Sequence, residues 1–303
     1  MVDFERDANN RDAAGNASNG RIIVVPPALC PASDFEAQET VSDHADTSHL
    51  RAKTPPPAPQ ALIGGLAITA VDRQAAAALM IAAARRRGER PFYSTSANGE
   101  VLARVHSNST IAGLFREADQ ILADGQPLVF ASRFLCRQRL PERVATTDLF
   151  HDVARQAERE RITFYLFGAN EKENSKAVAA VRRLYPGLTI AGYCHGYLTG
   201  EALDRKIDEI NALGPDILWL GLGVPREQLF VRDFAARLGR VGVIKTAGGL
   251  LDHLAGKTRR APLWVQNAGF EWLWRASVEP RRLLWRYLTT NPHALYVILR
   301  YSR

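Results

Sequence analysis

From Leu62 to Thr246, short apolar runs alternate with amphipathic stretches of helical length, and no other feature of the chain constrains its fold as strongly. Residues 162–167 are apolar at nearly every position, the pattern of a strand covered on both faces. Further strands are predicted at residues 91–96, 188–192, 216–220 and 241–246. Helices are predicted over residues 75–87, 109–118, 147–160, 173–184, 200–213 and 226–238. Strands separated by single helices make βαβ units. The expected fold is therefore α/β, a mainly parallel sheet flanked by helices. Ligands of such sheets sit in the loops after the strand carboxyl ends.

The flanks differ from this middle. Residues 1–60 are acidic, polar and rich in Ala, Asn and Ser, and end in Lys53-Thr-Pro-Pro-Pro-Ala-Pro59. They are read as a disordered tail and proline-rich linker. The expected division is a tail at 1–60, a catalytic domain at 61–256 and a C-terminal appendage at 257–303. The last 47 residues hold nine basic and two acidic residues, so they carry as much positive charge as the whole chain's net +7. Four of the five tryptophans lie there, Trp264, Trp272, Trp274 and Trp285. Helices are predicted at 263–277 and 281–289, divided by Pro280, with a separate short piece at 292–301. Leu283, Leu284, Tyr287 and Leu288 recur at helical spacing beside Arg281, Arg282 and Arg286. That stripe suits either an ordinary packed helix or a membrane interface. Basic residues interleaved with tryptophan suit an anionic partner: headgroups, nucleic acid or a diphosphate.

Three scattered cysteines exclude a disulfide framework and fit a reducing compartment. The polar start has no secretory signal pattern, and no apolar run reaches spanning length.

Several strand-end segments could carry chemistry. Asp124-Gly125 follows apolar Ile121 to Ala123, where a carboxylate can act as a general base or hold a hydroxyl; on spacing alone an Asp-Gly turn is the favoured reading. Ser96 and Asn98 offer neutral donors and acceptors for sugar hydroxyls or a nucleobase, or else form a polar turn. Gly221-Leu-Gly223-Val-Pro-Arg226-Glu227 and Gly248-Gly249 are generic phosphate loops or tight turns. The first lacks the third glycine of the dinucleotide fingerprint. His195 and His253 have no partner at metal-ligand spacing, and HExxH, CxxC and DxD are all absent, so no metal site is expected.

Taken in order, a set of segments resembles a known family. They are Ser96-Ala-Asn-Gly-Glu100, Ala123-Asp-Gly125, Pro141-Glu-Arg-Val144 with Asp148-Leu149, Leu166-Phe-Gly-Ala169, Tyr185-Pro-Gly-Leu188 and His195-Gly-Tyr197. Pro215-Asp216, Gly221-Leu-Gly223, Gly248-Gly249, Arg260-Ala-Pro262, Glu271-Trp-Leu-Trp-Arg275 and Glu279-Pro280 complete it. From about residue 63 to 290 the chain resembles the WecG/TagA/CpsF family, glycosyltransferase family 26, and most nearly its GumM-like exopolysaccharide members.

The resemblance implies a Rossmann-like domain with a helical, basic, membrane-associating appendage. It implies inverting transfer of a sugar from a UDP-sugar to a polyprenyl-diphosphate-linked sugar, by a peripheral protein on the cytoplasmic face of the inner membrane. The GumM-like reading makes the donor UDP-glucose and the new bond β-1,4. The alternative donors within the family are UDP-N-acetylmannosamine and UDP-N-acetylmannosaminuronate. Cofactors are not expected, and transfer is expected to be metal-independent.

Carried over residue by residue, Asp124 is the base, with Ser96 and Asn98 beside it; Thr95 is an alternative match to Ser96. The family's appendage arginines match Arg275 and Arg282, with Arg286 near a third; Gly221, Gly223, Arg226, Glu227, Gly248, Gly249 and Arg260 are the further candidates for binding the donor and its diphosphate. Arg281, Trp272, Trp274 and Trp285, from the basic, tryptophan-rich end of the chain, are the candidates for the membrane face. The expected partners are the two substrates and the membrane surface, not nucleic acid; a homo-oligomer is compatible with the composition. Two departures stand out. The family's Pro-Lys-Gln-Glu reads Pro225-Arg-Glu-Gln228, and Thr146 replaces the glycine usual before Asp148. More distant readings are a Rossmann-type oxidoreductase and a non-catalytic membrane binder.

Overall fold

The computed structural model describes residues 58–303 except Arg259 and Glu279; for residues 267, 275, 280–284 and 286 it describes the backbone alone. The tail predicted for residues 1–60 falls almost wholly outside the described residues. The described chain opens with a hairpin, β1 (Gln60–Ile63) and β2 (Leu66–Thr69). Gly64 and Gly65 form its two-residue turn with φ of 57° and 83°, a left-handed pair that twists with the strands and that glycine adopts without strain.

After α1 (Arg73–Arg85) come β3 (Phe92–Ala97), α2 (Gly99–Ser107), α3 (Ser109–Arg116), β4 (Gln120–Ala123) and α4 (Gln126–Leu135). Next are α5 (Thr146–Glu160), β5 (Phe164–Gly168), α6 (Glu171–Leu184), β6 (Ile190–Cys194), α7 (Gly200–Leu213) and β7 (Ile217–Gly221). The order ends with α8 (Arg226–Phe234), a 3-10 turn at Ala235–Leu238, β8 (Val243–Thr246), α9 (Leu250–Leu254), α10 (Leu263–Asn267), α11 (Glu271–Val278) and α12 (Pro280–Tyr301).

Strands β3 to β8 form a six-stranded sheet in the order β4-β3-β8-β7-β5-β6, with every neighbouring pair parallel. This is the α/β architecture that the alternation implies. Side chains alternate across it as strand geometry requires. Phe164, Leu166 and Trp219 pack under α1, α5 and α6, while Tyr165, Phe167, Leu218 and Leu220 pack under α7 and α8. Trp219 meets Phe150 and Phe164 at centroid distances of 4.9 and 5.7 Å. Each such aromatic pair adds about 0.5–1.5 kcal/mol beyond burial.

The C-terminal segment differs from its sequence reading. Residues 280–301 form one helix, continuous through Pro292, not two pieces. Proline inside a helix costs about 3 kcal/mol. Packing offsets it: Ala294, Val297 and Ile298 are buried, the last two in the core with the β1–β2 hairpin and α2. The chain end is tied down by Tyr301 O accepting from Gly65 N–H at 3.1 Å and by Arg303 N–H donating to Leu62 O at 3.0 Å. Among the described residues no helix is long and apolar enough to cross a membrane.

Candidate active site

Four adjacent strands, β4, β3, β8 and β7, deliver their carboxyl ends to one edge of the sheet, each followed by residues singled out in the sequence. After β3, Asn98 caps α2: its Oδ1 accepts the Val101 N–H at 3.0 Å. After β4 comes Asp124, whose backbone N–H donates to Ala97 O at 2.8 Å and locks the two strand ends together. After β7 and β8 come Gly223 (φ 77°) and Gly248 (φ 53°), left-handed positions that keep both loops tight. Glu227, in the first turn of α8, staples these loops. Its Oε2 accepts Gly223 N–H at 3.2 Å and Gly248 N–H at 3.1 Å. Glu227 is thus spent on shaping the loops, and burial pushes its carboxyl above the usual carboxylate range, against those two N–H bonds and the Lys245 charge.

Asp124 stands where two cavities meet. One, about 160 Å³, lies over the strand ends and is lined by Ser96, Thr146, Gly248, Gly249, His253 and Arg260 among others. The other, about 190 Å³, lies between the α4 start and the C-terminal helices, lined by Gln126, Arg143, Gln266, Trp272, Tyr287 and Asn291 among others. Asn98, Asp124 and Glu271 border both. Asp124 Oδ2 accepts from Thr146 Oγ1 at 3.0 Å and from Thr146 N at 3.3 Å. Burial raises the Asp124 carboxyl; the Arg143 charge and the Thr146 bonds work the other way, and Glu271 adds to the rise. Thr146 is one of the two departures from the family pattern, and here its hydroxyl holds the candidate base.

The two candidate hydroxyls separate. Ser96 Oγ lies 3.1 Å from Thr146 Oγ1, on the Asp124 side of the sheet. Thr95 points to the other face, where it bonds Thr246 Oγ1 at 2.7 Å and Gln228. Beneath Ser96 sits Lys245, fully buried in mid-sheet, with Nζ donating to Ser96 Oγ at 2.8 Å and to Thr246 O at 2.9 Å. Burial lowers its amine to about 8, against the pull of Asp124 and Glu227.

A second polar network joins the appendage to the core. Arg143 donates to Glu271 Oε2 at 2.6 Å and to Gln266 Oε1 at 2.7 Å. Arg260 reaches Asp148 Oδ2 at 3.0 Å and Gln266 Oε1 at 2.9 Å. Burial favours the neutral Asp148, but the Arg260 bond and charge outweigh it and hold that carboxyl below its usual range. Arg260 therefore lines the strand-end cavity while engaged in an ion pair.

Other predicted positions fall differently. Arg226 is exposed at the α8 start and lines neither cavity. Gly221 is buried at the end of β7. Trp272 faces the second cavity beside Tyr287, with centroids 5.9 Å apart; Trp274 is half-buried and Trp285 is 74% exposed. The side chains of Arg275, Arg281, Arg282 and Arg286 lie outside the described residues. Among the described residues no three or more His, Cys, Asp or Glu are grouped for a metal ion. Lys245 went unread in sequence because it interrupts an otherwise ordinary strand pattern, and its partners come from distant loops. Arg143 and Glu271 sit in segments that carry the resemblance, so a signal existed without a role attached.

Residues 61–303 match the model of the glycosyl transferase WecG/TagA/CpsF family, and the chain belongs to that family. It is a glycosyltransferase, which sets aside the oxidoreductase and the non-catalytic binder. Among its relatives is an N-acetylglucosaminyldiphosphoundecaprenol N-acetyl-β-D-mannosaminyltransferase of Bacillus spizizenii strain W23. The two are 28% identical over 212 residues, covering 70% of this chain and 80% of the relative. A protein of the same name from Bacillus subtilis strain 168 is 27% identical over 206 residues, covering 68% and 78%. Both names specify a mannosaminyl donor, where the sequence reading had put glucose first.

Proposed function

We propose that the protein transfers an N-acetylmannosaminyl group from its UDP-sugar to a sugar carried on a polyprenyl diphosphate, with inversion. The relatives' names favour the mannosaminyl donor, and the observation that carries the transfer itself is the place of Asp124, bordering both cavities. The strand-end cavity would take the donor, with the Gly223 and Gly248 loops near its diphosphate. The cavity under Trp272 and Tyr287 would take the acceptor sugar, since aromatic rings suit sugar faces and the C-terminal helices lead out to exposed apolar surface.

Asp124 would remove the acceptor hydroxyl proton as that oxygen bonds to the donor anomeric carbon. The bond from that carbon to the UDP oxygen breaks with its electron pair, and the diphosphate leaves from the opposite face. Ser96 and the Asn98 amide are suited to hold donor hydroxyls. Charge on the departing diphosphate would be met by arginine, from Arg260 and from Arg275, Arg282 and Arg286, without a metal.

The proposed setting is the cytoplasmic face of the inner membrane, bound peripherally. Trp264 is 73% exposed, Leu273, Val278 and Leu288 are exposed, and Phe134 of α4 is 86% exposed beside exposed Arg133, Arg137 and Arg139. Each basic residue near an anionic surface contributes about 1 kcal/mol.

The test is transfer in EDTA with a panel of UDP-sugars, offered to lipid-diphosphate acceptors bearing N-acetylglucosamine or glucose. Turnover with UDP-N-acetylmannosamine supports the reading. Turnover with UDP-glucose alone restores the glucosyl reading, and a requirement for added divalent metal contradicts the metal-independent mechanism.

A further inference from the structure

The hydrogen bonds beneath the site have only one consistent direction. Lys245 carries an ammonium that donates and cannot accept, so Ser96 Oγ accepts from it at 2.8 Å. The Ser96 proton is then free to go to Thr146 Oγ1, 3.1 Å away. The Thr146 proton goes on to Asp124 Oδ2 at 3.0 Å. Each hydroxyl thus points its proton at the carboxylate, and each bond polarises the next. An ionised carboxylate only accepts, so the single Thr146 hydroxyl proton is committed to Asp124 and cannot also go to Ser96. Oδ2 is engaged twice by Thr146, which leaves Oδ1 for the acceptor proton.

We propose that Lys245 is the positioning residue for the base: through Ser96 and Thr146 it keeps Asp124 ionised and its Oδ1 turned to the acceptor. This rests on the proposed role of Asp124 in transfer. The charged groups around Asp124 are Lys245 from β8, Arg143 from the loop before α5, Arg260 from the loop after α9, and Glu271 from α11; Lys245 itself also faces Glu227 of α8. Arg143 is already shared between Glu271 and Gln266. Arg260 is held by Asp148 and Gln266, and among the described residues Lys245 is the cation with a hydrogen-bonded route to the carboxylate. For the fold alone a lysine here is a poor choice, because an apolar residue in mid-sheet avoids its desolvation.

The wild type should have a bell-shaped pH dependence of kcat/KM. Its acid limb follows Asp124, and its alkaline limb follows loss of the Lys245 proton near its lowered value of about 8. The test compares wild type, Lys245→Met, Lys245→Arg and Thr146→Val. Lys245→Met should move the acid limb up by about one pH unit and abolish the limb near 8, with little change in donor KM. Lys245→Arg should keep the acid limb and lose the alkaline one. Thr146→Val, which cuts the chain while leaving the lysine, should move the acid limb alone. A curve scaled down with both limbs in place overturns the proposal.

An infrared titration of the carboxylate, with the Asp124→Asn spectrum subtracted, reads the same shift without turnover. An unmoved Asp124 midpoint in Lys245→Met, or in Thr146→Val if the former does not fold, also overturns it. A wild type inactive with every donor overturns the transferase mechanism instead, and the infrared midpoints still decide the role of Lys245.

Discussion

The two halves of the sheet are built on opposite rules. Around β5 and β7 every strand residue is buried, and the contacts are apolar and aromatic, with Phe164, Trp219 and Phe150 interlocked. Around β3, β8 and the end of β4, polar groups occupy the same depth. Ser94, Thr95, Lys245 and Thr246 are all buried, with Asp124 and Glu227 at the edge. Buried polar groups cost stability unless fully partnered. The apolar half holds the fold, and the polar half spends part of that stability on a preorganised site.

This contrast can be broken on either side. The largest stability effect belongs to the apolar half: Phe164→Ala should destabilise by about 3–5 kcal/mol in urea unfolding, while the folded fraction keeps its KM. Next is the clasp between core and appendage. Arg143→Met removes the 2.6 Å ion pair with Glu271 and the bond to Gln266, a loss of about 1–3 kcal/mol. Here acceptor KM should rise more than donor KM, since Arg143 lines the cavity with Trp272; an equal rise in both would place the donor there instead. Smaller again, Phe134→Ser should weaken binding to anionic vesicles about tenfold, the effect of burying one aromatic side chain in part. Unchanged flotation would remove α4 from the membrane face. In the opposite direction, Pro292→Ala should stabilise by up to about 3 kcal/mol, read as a rise in Tm of several degrees, because an exposed helix position regains a good helix former.

Acid should also divide the halves. Burial raises the Asp124 carboxyl, so activity should begin to fall at a higher pH than an ordinary carboxylate would set. The same raised value means that Asp124 favours folding in its protonated form. Its contribution to stability is present at low pH and is lost as pH rises through the folded-state value. Turnover should therefore fail in acid while Asp124 itself adds no acid instability, which parallel activity and unfolding titrations would reveal.

The apolar half was the legible half. The run at 162–167 announced β5, observed at Phe164–Gly168, because so short a continuous apolar stretch, stopped by glycine, fits a strand covered on both faces. The start of the polar half was harder. Asn98-Gly99 and Asp124-Gly125 looked like turns, yet they lead into α2 and α4. A capped helix start and a polar turn use the same residues, and the stripe of Val101, Leu102 and Val105 was the signal that distinguished them. Pro292 similarly suggested a break, because local propensity cannot register the long-range burial of Val297 and Ile298. Asp124, Ser96 and Asn98 were legible as site candidates through family motifs. Their partners Thr146 and Lys245 required the fold, since the contacts join residues 22 and 149 positions apart.

The most direct measurement compares transfer by wild type and Asp124→Asn, with UDP binding followed by calorimetry on the same preparations. Loss of a positioned general base should lower turnover by about a thousandfold, while UDP binds as before and the protein stays folded. An Asp124→Asn protein that turns over normally would contradict the account.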